Sequence, residues 1–143
     1  MNASILRHLQ QNAKASYTTI AKELDVSEGT IRSRVNKMLH EGIFEFIIHT
    51  HPSKIGFDVQ AIIGLSTRLG MQSIVAEQLE AHPSIRFVGA FSGNYDLMIQ
   101  GYFSTNESLI HYINNDLAEI EGIVDVDVNV ELKQYKDTFI YSI

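Results

Sequence analysis

The chain has 143 residues, of which 45% are apolar and 20% charged, and it has no cysteine. That is the balance of one ordinary globular domain or two small ones, and it excludes disulfide scaffolds, thiolate zinc sites and cysteine nucleophiles. The net charge of −6 divides unevenly: residues 1–51 carry six Lys/Arg against five acids, and the remainder carries five against twelve. A first part at +1 and a second at −7 hint at two jobs in two halves.

No run reaches the roughly 18 apolar residues of a membrane span, and the amino terminus lacks the basic-then-apolar pattern of a secretory leader. The expectation is a cytoplasmic protein with no membrane partner. In chain order, Ile5, Leu6 and Leu9 form a narrow apolar stripe that predicts a helix over Ala3–Gln11. Asn12–Ser16 is a polar connection. A second helix is expected over Thr18–Leu24, burying Ile20, Ala21 and Leu24. Asp25 then falls where the chain must turn in the left-handed region, which Asp tolerates better than most side chains. Ser27 is placed to cap a third helix, and Glu28 favours its dipole. Ile31, Val35, Met38 and Leu39 make the back of that helix, and Gly42 ends it.

The opposite face is small, polar and partly basic, which suits insertion into a DNA groove. Ser27, Gly29, Thr30, Arg32 and Ser33 are the candidates for base-edge or groove contact, with Arg34 and Lys37 assigned to phosphates. Together these segments predict a helix-turn-helix. Ile43–Thr50 is apolar and β-rich, as a strand or small wing would be. The composition changes across His51–Asp58, which Pro52 and Gly56 punctuate, so the domains are placed at 1–51 and 52–143.

The second half alternates periods. Strands are expected at Val59–Thr67, Ile85–Ser92 and Tyr95–Phe103, the last two joined as a hairpin by a tight reversal at Gly93 and Asn94. A helix over Met71–Ala81 would turn Met71, Ile74, Val75 and Leu79 inward and stop at Pro83. Ser104 and Glu107 match a capping box opening a helix to about Ile120, with Leu109, Ile110, Ile113, Leu117 and Ile120 inward. From Val124 to Lys133 apolar and polar residues alternate strictly. The order β-α-β-β-α-β is the ferredoxin-like motif, so the fold class is α+β. Two helices cover one face of such a sheet. The hairpin strands are apolar or small on both faces, with Phe87, Gly89 and Phe91 opposed to Val88 and Ala90, so the uncovered face calls for another copy of the chain. A dimer or higher homo-oligomer is expected.

A helix-turn-helix followed by a linker and a β-α-β-β-α-β domain resembles the Lrp/AsnC family of transcription regulators, also called feast/famine regulatory proteins. The resemblance spans nearly the whole chain and rests on IAKELDVSEGTIRSRV with EGIF, on the linker PSKIGFD, and on SGNYDL. It implies a winged reader domain and a RAM-type second domain, forming dimers that often assemble further to octamers and bind operator DNA. It also implies a small effector, usually an amino acid, near the loop formed here by Gly93, Asn94, Tyr95 and Asp96. In that loop Gly93 would let a ligand approach the backbone, Asp96 would pair with an amino group, and the amides of a tight turn would hold a carboxylate. The chain departs from the family's pattern in a short amino terminus without acids, in Asp25 at a turn that commonly has glycine, and in Val126 and Val128 where polar residues are frequent.

Two other functions fit the layout. One is an architectural DNA protein without an effector. The other is an Lrp-like tetrapyrrole decarboxylase, which would have to grip several carboxylates with only Lys54, Arg68, Arg86, Lys133 and Lys136 in its second half. No GxSxG, HExxH or GxxxxGK[ST] occurs, and no acid–base pair stands out, so no enzyme and no cofactor is expected. His49 and His51 share one face at strand spacing but lack a third ligand nearby. Asp125, Asp127 and Glu131 read as the solvated face of an edge strand. No metal is assigned to either group.

Overall fold

Ile5 and Leu9, Ile20 and Ala21, and Ile31, Val35 and Met38 recur at helical spacing on three segments, and together they are the buried core of the first unit. The computed structural model describes residues 1–143 and places α1 at Asn2–Gln11, α2 at Tyr17–Glu23 and α3 at Glu28–His40. Ser16 and Ser27 cap α2 and α3 by accepting from Thr19 N and Thr30 N, each at 3.1 Å. Both helices end in the same way. At the end of α2, Val26 N donates to Ala21 O and Asp25 N to Lys22 O. At the end of α3, Ile43 N donates to Met38 O and Gly42 N to Leu39 O. This pair of bonds is the Schellman motif, which needs a left-handed residue at its centre. Gly42 supplies it at φ +69, and Asp25 does so at φ +53, the only non-glycine residue with positive φ.

The first compact unit is Met1–His49 with Tyr135–Ile143, and the second is Thr50–Gln134. The last nine residues, which the sequence reading places with the second domain, therefore pack in the first unit. There the Gln10 side chain pairs with the Tyr141 backbone in both directions, accepting at 2.6 Å and donating at 3.2 Å, and Arg7 Nε donates to Ile143 O. His49 lies 3.7 Å from the Asp137 carboxylate and edge-on to the Phe139 ring. The expected strand or wing over Ile43–Thr50 is not formed: the segment has no ladder, and Phe46, Ile47 and Ile48 are exposed. β-rich composition makes a strand only where another strand is aligned to accept its hydrogen bonds.

The second unit opens with a 3-10 turn at Pro52–Ile55, stopped by left-handed Gly56, and continues through β1 (Val59–Thr67), α4 (Gln72–Glu80), β2 (Ile85–Ala90), β3 (Leu97–Phe103), α5 (Asn106–His111), a π-helix (Tyr112–Leu117) and β4 (Ile123–Val130). The sheet order is β2-β3-β1-β4, antiparallel throughout, as the ferredoxin-like motif requires. Ala61, Ile63 and Leu65 of β1 and Leu97, Ile99 and Phe103 of β3 make the covered face, with Ile63 opposite Ile99 and Leu65 opposite Leu97, against Val75 and Leu79 of α4 and Leu109, Tyr112 and Leu117 of the second helical segment. No helix is long and apolar enough to cross a membrane.

Three local features differ from the expectations drawn from the sequence. The cap of α5 is Thr105, which accepts from Ser108 N at 3.1 Å, while Ser104 bonds only the Ser108 hydroxyl. The helix after it widens at Tyr112, where Asn115 Nδ2 donates to His111 O at 2.9 Å and competes with the α ladder. The five-residue spacing of buried Tyr112 and Leu117 fits the wider turn, while Ile110, on α5 before it, and Ile74, on α4, point outward rather than inward. The hairpin between β2 and β3 is not a two-residue turn. Its strands close at Ala90 and Leu97, leaving residues 91–96 as the loop.

The open face is mixed rather than wholly apolar. Ile62, Phe87 and Phe91 are exposed on it, and Gln60, Gln100 and Asp127 share it in the register of β1, β3 and β4. Aromatic rings crowd two of its glycines. A Cβ at Gly89 would stand 2.8 Å from the Phe87 and Phe91 rings, and one at Gly64 would stand 2.6 Å from the Tyr95 ring.

Candidate nucleic-acid interface and ligand loop

The front of α3 is a groove of about 590 Å³ lined by Ser27, Gly29, Thr30, Ser33, Arg34, Lys37 and, from the start of α1, Asn2. Six of the seven residues named from the sequence thus meet in one place. The reason is the 3.6-residue period: with Ile31, Val35 and Met38 buried behind, positions 29, 33 and 37 must face forward. Gly29 leaves room for close backbone approach. Ser27 and Thr30 hydroxyls are 2.9 Å apart, so this corner is already ordered. Arg34 Nη1 donates to Asn2 Oδ1 at 3.1 Å, which steadies one cation at the groove's rim.

Arg32 does not line the groove. It sits on the flank of α3 toward α2, where its Nη2 meets Glu28 Oε1 at 2.6 Å and its guanidinium carbon lies 5.1 Å from the Tyr17 ring centroid. Thr18 Oγ1 donates to the other Glu28 oxygen at 3.2 Å. The hydrogen bond from Arg32, and after it the one from Thr18, holds the Glu28 carboxyl below its ordinary pKa of 4.5. The i,i+4 spacing of Glu28 and Arg32 was visible in the sequence. Tyr17, Thr18 and Asn2 carried no such signal, because their partners are distant along the chain.

The second candidate region is the loop after β2. Gly93 has φ +113, with nothing near the space a side chain would take. Asp96 Oδ2 accepts from Thr67 N at 2.8 Å and from Thr67 Oγ1 at 3.4 Å. Asp96 O accepts from Gln72 Nε2 at 2.7 Å, at the start of α4, and Asp96 N donates to Leu65 O. The Tyr95 hydroxyl donates to Asp127 of β4, and this bond, more than any burial, raises the phenol's pKa. Three elements therefore fix Tyr95 and Asp96, while Gly93 and Asn94 form the free tip.

The family models that match the chain are the AsnC-type helix-turn-helix domain over residues 2–39 and the Lrp/AsnC ligand binding domain over residues 60–141. Among curated relatives, the HTH-type transcriptional regulator LrpA of Pyrococcus horikoshii is 32% identical over 133 residues, 92% of this chain and 94% of that one. The HTH-type transcriptional regulator Ptr1 of Methanocaldococcus jannaschii is 29% identical over 96% and 93%. The structure of E. coli AsnC superposes with a TM-score of 0.92 at 26% identity, covering 97% of this chain and 95% of that one. A transcriptional regulator from Neisseria meningitidis, solved as a complex with L-Met, shares the fold at a TM-score of 0.90 and 21% identity, covering 96% and 92%.

Proposed function

This chain belongs to the Lrp/AsnC family of DNA-binding transcription regulators, and on that premise we propose that paired copies of it read duplex DNA with α3 and answer to a small amino acid. The observation that carries the reading is the groove on α3. Ser27, Gly29, Thr30 and Ser33 offer small donors and acceptors to base edges, Arg34 and Lys37 stand at its side for phosphates, and Arg32 supplies a further base-edge contact from the flank.

Residues 1–51, with Tyr135–Ile143 packed in the same unit, serve as the reader and residues 52–134 as the ligand-binding and assembly part. At a net charge of +1 the reader is a weak partner for DNA as a single copy. Affinity comes from joining readers, since linked sites bind at high effective concentration. The open sheet face, with Ile62, Phe87 and Phe91 exposed, is the surface we assign to that pairing, giving a dimer that further assembly extends toward an octamer. The effector sits at Gly93, Asn94, Tyr95 and Asp96. The tip amides meet its carboxylate, and Asp96 Oδ1, to which neither of the Thr67 bonds runs, meets its ammonium. The L-Met of the N. meningitidis regulator supports the choice of amino acids as the ligand class.

The test is a thermal-shift screen of the common amino acids, L-Met included, followed by sizing and DNA titration with and without any hit. A ligand at a hundred times its dissociation constant stabilises the chain by about 2.7 kcal/mol and changes either size or DNA affinity. If no amino acid shifts melting, size or affinity, the effector is refuted. A monomer that binds DNA as tightly as the assembled form refutes the pairing.

A further inference from the structure

Of the three Lys/Arg residues of α3, only Arg32 lies off the groove, and it is also the one held from several sides. Its Nη2 is 2.6 Å from Glu28 Oε1, the Tyr17 ring lies beneath its guanidinium at 5.1 Å, and Thr18 fixes Glu28 through the second carboxylate oxygen. Tyr17 and Thr18 open α2, so two helices hold one side chain.

Stability does not account for this cluster. Arg32 and Glu28 are both exposed, and exposed i,i+4 pairs contribute little. On a surface aimed at DNA, moreover, a carboxylate repels phosphates and lowers affinity for any duplex. What the cluster accomplishes is geometric. A free arginine meets whichever phosphate comes within reach, and that contact carries no sequence information. A guanidinium held by a carboxylate on one edge and a ring on one face has few rotamers left, and its remaining N–H edge points one way. Reading guanine through O6 and N7 needs a planar fork so oriented.

We infer that Glu28 is a specificity-determining residue: with Tyr17 and Thr18 it holds Arg32 for a base edge and keeps it from the backbone phosphates. The inference rests on α3 being the reading element. Without Glu28, Arg32 becomes a mobile cation, so affinity for any DNA rises while discrimination falls. Glu28 thus lowers affinity in exchange for selectivity.

The experiment uses the full chain and two duplexes of equal length, one selected by the unaltered protein from a random pool and one of random sequence. The ratio of the two affinities is the readout, because removing a charge changes both affinities alike and leaves their ratio untouched. Glu28→Ala is expected to strengthen binding to the random duplex and to lower the ratio about tenfold, the worth of one good bidentate contact. Tyr17→Leu is expected to lower the ratio without a change in charge. In an Arg32→Ala background, Glu28→Ala is expected to leave the ratio where Arg32→Ala alone put it. An unchanged ratio in Glu28→Ala overturns the inference. So does an equal fall in the Arg32→Ala background, which would mean that Glu28 touches DNA itself. If the unaltered protein selects no duplex at all, the reading of α3 fails first, and that result is distinct from both.

Discussion

The Tyr95 ring rests on Gly64, so close that a Cβ at position 64 would stand 2.6 Å from its Cγ and 2.7 Å from both Cδ atoms. Gly64 lies in the middle of β1, and its φ is outside the left-handed region, so alanine is barred there by the ring and not by the backbone. The contact seats Tyr95 with its hydroxyl on Asp127, which links the loop of residues 91–96 to β1 and β4 at once.

Gly64→Ala is therefore expected to expel the Tyr95 ring, break its bond to Asp127 and lower the melting temperature by about 5 °C. In a Tyr95→Ala background the same change should cost much less, since the clashing atoms are gone. A double-mutant cycle of thermal midpoints measures this coupling. Equal costs in the two backgrounds would mean that the ring does not hold the loop.

Tyr112 opens the π-helix and is buried, and its hydroxyl is 2.8 Å from His82 Nδ1. Tyr112→Phe should cost about 1 kcal/mol, the usual worth of one partly buried hydrogen bond. Burial, and after it the charge of Asp116, raises the pKa of this phenol above its ordinary value of 10. In the unfolded chain the group loses its proton near 10, while in the folded chain it keeps it. Its contribution to stability is thus intact below pH 10 and falls as pH rises beyond that value. Urea midpoints at about pH 9 and pH 11 should show a drop that is smaller in Tyr112→Phe.

Asp25 holds a left-handed conformation that glycine adopts without strain. Asp25→Gly keeps both Schellman bonds and should stabilise the first unit by about 0.5 kcal/mol, the relief of strain outweighing the added freedom of the unfolded chain. Chemical denaturation monitored by helix content checks the sign. A loss of more than about 1 kcal/mol would show that the Asp25 side chain makes a contact worth more than the strain it carries.

How much of this was legible in the sequence depends on the range of each signal. Asp25, Ser27 and Gly42 act on neighbours within a turn, and each does in the fold what its residue type predicts. The groove on α3 was legible for the same reason, since one helical period brings its residues together. Ser104 and Thr105 are adjacent hydroxyls with equal claims to cap α5, and only the backbone geometry of residue 105 decides between them. The widening at Tyr112 was hidden, because a period of 3.6 and one slightly longer differ by only one residue over a short segment. Ile43–Thr50 misled because its composition is that of a strand, while pairing depends on a neighbour that sequence does not supply. The clasp of Tyr17 on Arg32, the bond of Asn2 to Arg34 and the return of Tyr141 to Gln10 join residues whose proximity follows only from the completed fold.

The measurement that bears most directly on paired readers is the salt dependence of binding to a selected duplex. If each copy meets about three or four phosphates, a dimer neutralises about six to eight, and the logarithm of the association constant falls with the logarithm of salt at a slope of about −5 to −7. A slope near −3 is that of one copy acting alone and would contradict the account, as would an affinity that salt does not change.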